Sequence, residues 1–264
     1  MKKEVTYTLL NEHLDSENYI HRQIKQIMKG NPADFLIYPD GVMQLIDENE
    51  MTGNNLKYLE LYNKIAPLYR ISNSLYFPFK FGGEQRYRNN FLSELEIKAH
   101  DKILETSVGA GDNFKYLPEN ITLYGVDLSY AMLKQAVKNT KRWKRKAYYF
   151  QGNAEVLPFK DECFDIVFHV GGINFFNDKR AAIMEMVRVA KSGTKIVIVD
   201  ETKKLVETTY RKTPITKDYY EVEEEEEIEE QTNAPLEYVP NNMQDVTYKE
   251  ICKGLMYCLT FRKP

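Results

Sequence analysis

Cysteine is scarce in this chain, tryptophan occurs once, and long apolar runs are missing. The three cysteines, Cys163, Cys252 and Cys258, form neither a CxxC pair nor an evident metal-ligand set. Such sparse thiols exclude a disulfide framework and are typical of a reducing compartment, so we predict a cytoplasmic protein without a bound metal. No stretch approaches about eighteen consecutive apolar residues, and the N-terminal residues lack the apolar segment of a secretory signal, so no membrane partner is expected.

An excess of charge of either sign is also missing. The formal net charge is -3 over 264 residues, of which 43% are hydrophobic. That balance is typical of a globular domain and gives no global attraction to nucleic acid. Two local runs depart from it, the basic KRWKRK at 141–146 and the acidic EVEEEEEIEE at 221–230. We interpret the basic run as the end of a helix, with a nucleic-acid-binding site as the alternative. We interpret the acidic run as a solvated segment, with a binding site for a basic partner as the alternative.

From residue 102 onward, apolar patterns alternate between strand and helix. Strand-like runs occupy 102–106, 122–126, 147–150, 164–170 and 195–200, with helical patterns after Ser129 and at 181–190. The fourth and fifth runs are apolar enough to be covered on both faces, which indicates a parallel sheet. Runs at 245–252 and 255–264 flank Lys253-Gly254 and predict a closing hairpin. We therefore predict an α/β, doubly wound, Rossmann-like, mainly parallel sheet of seven strands with an antiparallel last strand.

The first 80 residues follow a different pattern and predict a helical and hairpin extension. Ser16 can cap a helix that ends near Gly30, and residues 34–46 read as two short strands around a Pro-Asp-Gly turn. Helical spacing continues from about 55 to 71, interrupted by Pro67, and a second helix is predicted at 85–99. We predict an extension or cap at 1–80 and a main domain at 81–264.

A glycine-rich stretch, ETSVGAGDN at 105–113, follows the first strand of this main domain. Gly109 and Gly111 can take positive φ and expose backbone N–H groups. A dinucleotide loop of the form GxGxxG would need a third glycine at Phe114, and no Gly-Lys-Ser/Thr follows as in a P-loop. Asp112 would also present negative charge to a pyrophosphate. The loop is therefore not predicted to hold phosphate.

The same acidic side chains suit a cationic ligand. Glu105 and Asp112 stand beside bare backbone and favour an ammonium or a sulfonium group. At the end of the second strand, Asp127 can accept hydrogen bonds from two ribose hydroxyls. One site would then hold an adenosine without phosphate and with a positively charged tail, a description that fits S-adenosylmethionine.

Four ordered segments carry a family resemblance: ILETSVGAGDN, YGVDLSYAMLKQA, FQGNAEVLPFKDECFDIVF and EMVRVAKSGTKIVIVD. The region from about Tyr62 to Asp200 resembles the class I S-adenosylmethionine-dependent methyltransferases, in the branch that includes ubiquinone/menaquinone C-methyltransferases. The resemblance covers about half the chain. It implies that the closing strand at 255–264 is inserted antiparallel into the sheet.

The resemblance also implies roles for individual residues. The predicted cofactor-binding residues are Glu105, Ser107, Gly109, Gly111 and Asp112 at the methionine end, Asp127 at the ribose, Leu128, Met132, Asn153 and Ala154 at the adenine, and His169. His169 and its neighbour Val170 would lie near the sulfonium and the acceptor. His169 is also the candidate general base, although a lone histidine at a strand end often has only a positional role. Tyr62 and Tyr69 would belong to an aromatic helix over the cofactor, or would only pack on the sheet.

Two positions depart from the family pattern. Ser107 replaces a usual glycine, and Asn153 replaces a usual aspartate. The segment 34–53 resembles the tail of a small zinc-ribbon module that precedes some methyltransferase domains, but it lacks the CxxC ligands and would be metal-free. We predict methyl transfer to a small molecule. An RNA methyltransferase, which the net acidic charge disfavours, and a non-catalytic cofactor-binding protein are the alternatives.

Overall fold

The computed structural model describes residues 24–30, 35–213, 216–219 and 234–264. The predicted helix start at Ser16 and the acidic block at 221–230 lie outside these ranges. The strands are Leu36–Ile37 (β1), Met43–Gln44 (β2), Lys102–Thr106 (β3), Thr122–Asp127 (β4), Ala147–Gln151 (β5), Ile166–Val170 (β6), Lys195–Glu201 (β7), Gln244–Ile251 (β8) and Met256–Arg262 (β9). The helices are Gly53–Phe81 (α1), Glu84–Leu92 (α2), Tyr130–Arg142 (α3), Lys179–Val189 (α4) and Lys203–Thr208 (α5).

All nine strands of the described residues join one sheet in the order β1-β2-β5-β4-β3-β6-β7-β9-β8. Strands β5, β4, β3, β6 and β7 are parallel to one another, and β9 pairs antiparallel with both β7 and β8. The predicted fold class and the inserted antiparallel last strand are therefore confirmed. The strand count differs from seven because the hairpin at 36–44 extends the same sheet, with β2 parallel to β5.

Apolar side chains cover both faces of the central strands. Along β4, Leu123 packs into one core and Tyr124 into the core on the opposite face, and Val167 and Phe168 of β6 divide in the same way. All four side chains have 0% exposure. This double burial is what the near-continuous apolar runs of parallel strands predict.

Helix α1 is longer than the sequence predicts. It runs for 29 residues through both Pro67 and Pro78 and ends at Gly82, whose φ is 73°. A proline inside a helix removes one backbone donor and crowds the preceding turn. Here Leu59 and Leu61 are buried, and the helix packs along α3, so tertiary packing outweighs the local preference. The predicted end near residue 71 is therefore wrong.

The start of α1 is capped by a residue distant in sequence. Asn177 accepts hydrogen bonds at Oδ1 from the N–H groups of Asn54, at 2.8 Å, and Asn55, at 3.3 Å. Its Nδ2 donates to the carbonyl of Thr52 over 3.0 Å. Gly53 has a φ of 60°, and a Cβ there would lie 2.6 Å from Asn177 Oδ1. A side chain at position 53 would therefore displace the cap that ties α1 to the loop after β6.

Candidate active site

A cavity of about 360 Å³ lies at the carboxyl ends of the central strands, beneath α1. Open α/β sheets bind ligands at this edge. Among the predicted cofactor and cap residues, those that line the cavity are Glu105, Ser107, Gly109, Asp112, Asp127, Leu128, Met132, Tyr62 and Tyr69. Gly111, Asn153, Ala154 and His169 are not part of its wall.

The loop after β3 is built on left-handed backbone. Ser107, Gly109 and Gly111 have φ values of 58°, 53° and 72°. The N–H of Gly109 donates to Oδ2 of Asp127 over 2.8 Å, and the N–H of Ser129 donates to Oδ1 over 2.9 Å. Each carboxylate oxygen can accept a further hydrogen bond. The loop and the acid at the end of β4 therefore form one polar unit on the cavity wall.

Gly111 has a packing role in the structure. A Cβ at this position would lie 2.9 Å from the hydroxyl of Tyr149 and 3.2 Å from Cβ of Ala136 on α3. The glycine therefore lets the loop, helix α3 and strand β5 approach closely. Gly111 is not part of the cavity wall, and its predicted place at the methionine end of the cofactor stays a prediction.

The carboxyl group of Asp127 titrates at an unusual pH. Burial raises its pKa to about 6, while the hydrogen bonds from Ser129 and Gly109 oppose that rise. The carboxylate is therefore ionised at neutral pH without a cation beside it. Such a group favours ligands that donate hydrogen bonds to it.

A second carboxyl group, that of Glu105, is buried with one oxygen unsatisfied. Asn113 donates through Nδ2 to Oε1 of Glu105 and accepts at Oδ1 from the guanidinium of Arg88. Oε2 has no hydrogen-bond partner among the residues that the structure describes, although Glu105 has only 1% exposure. Burial raises the pKa of Glu105 well above its usual value. A buried oxygen of this kind is completed by a ligand that donates to it.

Arg88 holds this arrangement from α2. Its guanidinium donates to Oε1 of Glu84 at 2.8 Å and lies 3.8 Å from Asp112. The side chain is nearly fully buried, and its partners already occupy the guanidinium. The sequence prediction missed Arg88, since a single arginine on a polar helix carries no distinguishing pattern.

Two of the four predicted adenine residues, Asn153 and Ala154, are not part of the cavity wall. Asn153 accepts at Oδ1 from the N–H of Glu155 over 2.9 Å, and Ala154 is buried. Asn55, at the start of α1, lines the cavity and donates to Glu155 at 3.0 Å. Farther along α1, Asn63 accepts from the hydroxyl of Ser129 at 2.6 Å. The predicted contact of Asn153 and Ala154 with the adenine stays a prediction.

His169 is fully buried, and both of its ring nitrogens are engaged. The N–H of Ile173 donates to Nε2 over 3.0 Å, so Nδ1 carries the proton and donates to the hydroxyl of Thr106 at 3.0 Å. Burial lowers the pKa of His169 to about 4, and the side chain is absent from the cavity wall. The predicted placement beside the sulfonium and the acceptor is corrected, because the ring joins β3 to β6 and the loop after it.

The rest of the cavity is aromatic with one acid. Tyr58 and Phe175 pack at 4.7 Å between ring centres, with Tyr62 and Tyr210 against the same cluster. Glu201, the last residue of β7, accepts from the hydroxyl of Tyr210 over 3.0 Å. The prediction missed these lining residues: Asn55, Tyr58, Leu59, Leu61, Ile65, Phe77, Phe81, Tyr87, Arg88, Phe175, Phe176, Glu201, Leu205 and Tyr210. The crowding of tyrosines between 58 and 87 was the available signal.

Searches for other kinds of site gave two negative findings. Within residues 24–30, 35–213, 216–219 and 234–264, no three histidine, cysteine or acidic side chains cluster as metal ligands. In the same ranges, no helix combines the length and the apolarity needed to cross a membrane.

Comparison with known proteins locates the shared region. Residues 104–198 match the family described as a methyltransferase domain. A ubiquinone/menaquinone biosynthesis C-methyltransferase of Xylella fastidiosa is 29% identical over 149 residues, covering 53% of this chain and 57% of the relative. The chain contains a methyltransferase domain of the class I S-adenosylmethionine-dependent type, of which residues 104–198 match the family model. The matched region of the methyltransferase domain includes the glycine-rich loop at 105–113 and the ends of β3, β4 and β6.

Two further comparisons agree with this family. The demethylmenaquinone methyltransferase of Renibacterium salmoninarum is 27% identical over 141 residues, covering 53% of this chain and 56% of the relative. The crystal structure of a methyltransferase from Aquifex aeolicus shares the fold, with a TM-score of 0.50, 19% identity and coverage of 66% of this chain and 88% of that one. The chain spans about half the length of the curated relatives it matches.

Proposed function

We propose that this methyltransferase binds S-adenosylmethionine and transfers its methyl group to a small-molecule acceptor. The observation that carries the proposal is the pairing of Glu105 and Asp127 on one cavity wall. One carboxyl has an unsatisfied buried oxygen, and the other is held by backbone N–H groups. Together they match an ammonium group and a pair of ribose hydroxyls. The described wall of the cavity offers no loop suited to phosphate.

These residues suggest how the cofactor would be held. Glu105 would bind the ammonium group, Gly109 would let the amino-acid tail approach the backbone, and Asp127 would accept from the ribose hydroxyls. Leu128 and Met132 supply apolar surface for the adenine. When bound, S-adenosylmethionine supplies a methyl group already activated on a sulfonium. The task of the protein is then to align donor and acceptor and to exclude water.

The roof of the cavity belongs to the proposed extension at 1–80. Tyr58, Tyr62 and Tyr69 of α1 line the site and would cover both ligands. We assign the role of acceptor selection to this cap, and a structural, metal-free role to the module at 34–53. His169 is proposed to position the β6 loop and not to move a proton, because both ring nitrogens are occupied. The free, sparse cysteines support a cytosolic location.

A small aromatic acceptor agrees with two observations. The part of the cavity away from Glu105 and Asp127 is walled by tyrosine and phenylalanine side chains. One relative is named as a C-methyltransferase of ubiquinone/menaquinone biosynthesis, and another as a demethylmenaquinone methyltransferase. Aromatic walls bury flat apolar rings effectively. The acceptor of this chain is therefore proposed to carry an aromatic or quinonoid ring.

Calorimetric titration with S-adenosylhomocysteine tests the proposal. We expect saturable binding to the wild-type protein and to Asp161→Asn, whose carboxylate is exposed and distant from the cavity. A Glu105→Gln, Asp127→Asn double variant should lose binding by at least about a hundredfold. Equal binding by the double variant, or no binding by a folded wild-type protein, would contradict the proposal. Transfer of radiolabelled methyl groups to small aromatic molecules would then test the catalytic part.

A further inference from the structure

A buried chain of hydrogen bonds links helix α2 to the carboxyl group that is proposed to bind the cofactor. The guanidinium of Arg88 donates through Nη1 to Oδ1 of Asn113, and Nδ2 of the same amide donates to Oε1 of Glu105. All three side chains are buried, and all three residues line the cavity. The chain ends at Oε2 of Glu105, which no described residue satisfies.

The amide of Asn113 has two ends with opposite hydrogen-bonding properties, and Arg88 determines which end meets Glu105. A guanidinium only donates, so it is satisfied by the amide oxygen and not by the amide nitrogen. While Arg88 holds Oδ1, Nδ2 faces Glu105 and donates to it. A rotated amide would place its oxygen against the carboxyl group and would favour the protonated acid. Arg88 therefore selects the amide orientation that stabilises the carboxylate.

Arg88 is itself held firmly against the loop after β3. Its Nε and Nη2 donate to Oε1 of Glu84, one turn earlier on α2, at 3.1 and 2.8 Å. The other oxygen of Glu84 accepts from the hydroxyl of Tyr116 over 3.0 Å, and the guanidinium lies 5.7 Å from the centre of the Tyr116 ring. Tyr116 is the last residue of the short 3₁₀ helix that follows the glycine-rich loop. The position of the guanidinium is thus fixed by the protein before a ligand arrives.

The groups around Glu105 act on its pKa in opposite directions. Burial raises the pKa most, and the carboxyl groups of Asp112 and Asp127 raise it further. The hydrogen bond from Asn113 and the positive charge of Arg88 lower it. The two groups that favour the carboxylate are therefore the two members of the hydrogen-bonded chain.

No other described residue of the cavity wall can replace this contribution. Arg88 is the one member of that wall with a permanent positive charge. The hydroxyl of Tyr149 approaches from β5, and burial, followed by the charge of Glu105, raises its pKa, so it stays neutral. The ionised form of Glu105 thus depends on where Arg88 and the amide are held.

We propose that Arg88 is a positioning residue for cofactor binding: it holds the oxygen of the Asn113 amide, turns the amide nitrogen toward Glu105, and so orients the Glu105 carboxylate with Oε2 open to the ammonium group of S-adenosylmethionine. This inference rests on the proposed function and adds the residue that prepares the ammonium site. Because Arg88 acts through Asn113, its removal should matter only while a carboxylate is present at position 105.

A double-mutant cycle measured by calorimetry tests this role on the full chain, with S-adenosylhomocysteine as the probe. Arg88→Met removes the donors and keeps a long unbranched side chain, and the affinity at neutral pH should fall at least about tenfold. In the Glu105→Gln background the same substitution should change the affinity by less than about twofold, because the group that Arg88 orients is gone.

The dependence of affinity on pH distinguishes positioning from a purely structural role. In the wild type the affinity should rise with pH as Glu105 ionises and then level off. In Arg88→Met this rise should lie about one pH unit higher, since a tenfold loss corresponds to about one pKa unit. Arg86→Met is the matched control, because Arg86 is an exposed residue of α2 outside the cavity wall. It should keep the affinity and the pH profile of the wild type.

A second variant carries the test if Arg88→Met does not fold. Asn113→Asp keeps Oδ1 for Arg88 and replaces the donor to Glu105 by an oxygen, so its affinity should also fall at least about tenfold. Wild-type affinity in either variant, an equal loss from Arg88→Met with and without Glu105→Gln, or an unmoved pH profile would each overturn the assignment. Failure of S-adenosylhomocysteine to bind the folded wild type would instead overturn the proposed function beneath it.

Discussion

The backbone N–H of Gly109 donates to Oδ2 of Asp127 over 2.8 Å, across the gap between the loop after β3 and the end of β4. Ser129 holds the other oxygen in the same way. Because both bonds come from the backbone, the carboxyl group is oriented before any ligand arrives. A ribose that binds there would not bear the entropy of ordering the side chain.

Substitution of Asp127 by asparagine removes the charge of the side chain and keeps its shape, so it measures what the charge contributes to cofactor binding. Asp127→Asn keeps one oxygen for Gly109 but removes the carboxylate, so the affinity for S-adenosylhomocysteine should fall about tenfold to a hundredfold. The apo protein should remain folded but melt at a lower temperature, because the amide nitrogen of the asparagine cannot accept from the N–H of Ser129 as Oδ1 does. Calorimetry and thermal melting check the two parts. A loss of affinity accompanied by global unfolding would contradict this interpretation.

The pKa of Asp127 predicts how cofactor binding depends on pH. The pKa is raised to about 6 in the folded protein, so the carboxylate is mostly ionised at pH 7 and becomes protonated as the pH falls through 6. The affinity for S-adenosylhomocysteine should therefore weaken toward about tenfold per pH unit below that value. Titrations between pH 5 and 8, interpreted with Asp127→Asn as the control, test this. A wild-type profile no steeper than that of the variant would refute it.

Glu105 should release a proton when the cofactor binds. Burial raises its pKa well above the usual value in the empty site, which favours the protonated carboxyl group there. An ammonium group beside it favours the ionised form, and the proton passes to the buffer. The calorimetric enthalpy measured at about pH 7.5 should thus change with the ionisation enthalpy of the buffer. Glu105→Gln should bind more weakly and without this buffer dependence.

The loop after β3 offers a pair of opposite stability effects. Ser107 has a φ of 58°, a conformation that costs a residue with a Cβ about 1 kcal/mol, so Ser107→Gly should be neutral or stabilising by up to that amount. Gly111→Ala should destabilise by about 1–3 kcal/mol, since the new Cβ would meet Tyr149 and Ala136. Urea unfolding compares the two variants. Equal effects would argue against the loop geometry.

His169 should affect stability and leave the pH profile of methyl transfer unchanged. Its pKa falls from the ordinary 6.5 to about 4 in the folded protein, so the unfolded chain binds a proton first as the pH drops. The contribution of His169 to stability is complete above pH 6.5 and decreases by up to about 3 kcal/mol on going to pH 4. Urea unfolding at several pH values should show this loss in the wild type relative to His169→Asn. If His169 were a general base, the pH–rate profile of the wild type would show a step near neutral pH that is missing from the profile of His169→Asn.

The strands and the glycine-rich loop at 105–113 could be predicted from sequence because neighbouring residues along the chain determine them. Strand β3 occupies the predicted residues 102–106, and Ser129 accepts from the N–H of Met132 as the predicted helix cap. Glu105 and Asp127 follow from their positions after consecutive strands. Because short stretches of sequence determine these features, they can be predicted from one sequence alone.

The packing of α1 over the cavity and the contacts on the acceptor side of the cavity could not be predicted, because these contacts join segments that are distant in sequence. Asn177 caps a helix that begins more than a hundred residues earlier, and Asn113 reaches back to Arg88. Pro67 signals a helix boundary locally, but packing on α3 overrides it. The hydrogen bond from Tyr210 to Glu201 likewise depends on how the segment after β7 folds back on the cavity.

Helix α1 is tied to the rest of the domain at two points, at its first turn by Asn177 of the loop after β6 and farther along by the bond from the hydroxyl of Ser129 to Asn63. A ligand that orders this helix from either side therefore lowers the entropic cost of ordering it for the other. Thermodynamic linkage then requires the effect to be mutual: whatever factor the cofactor contributes to acceptor affinity, the acceptor contributes to cofactor affinity. One shared helix would thus make the two half-sites positively cooperative within a single chain.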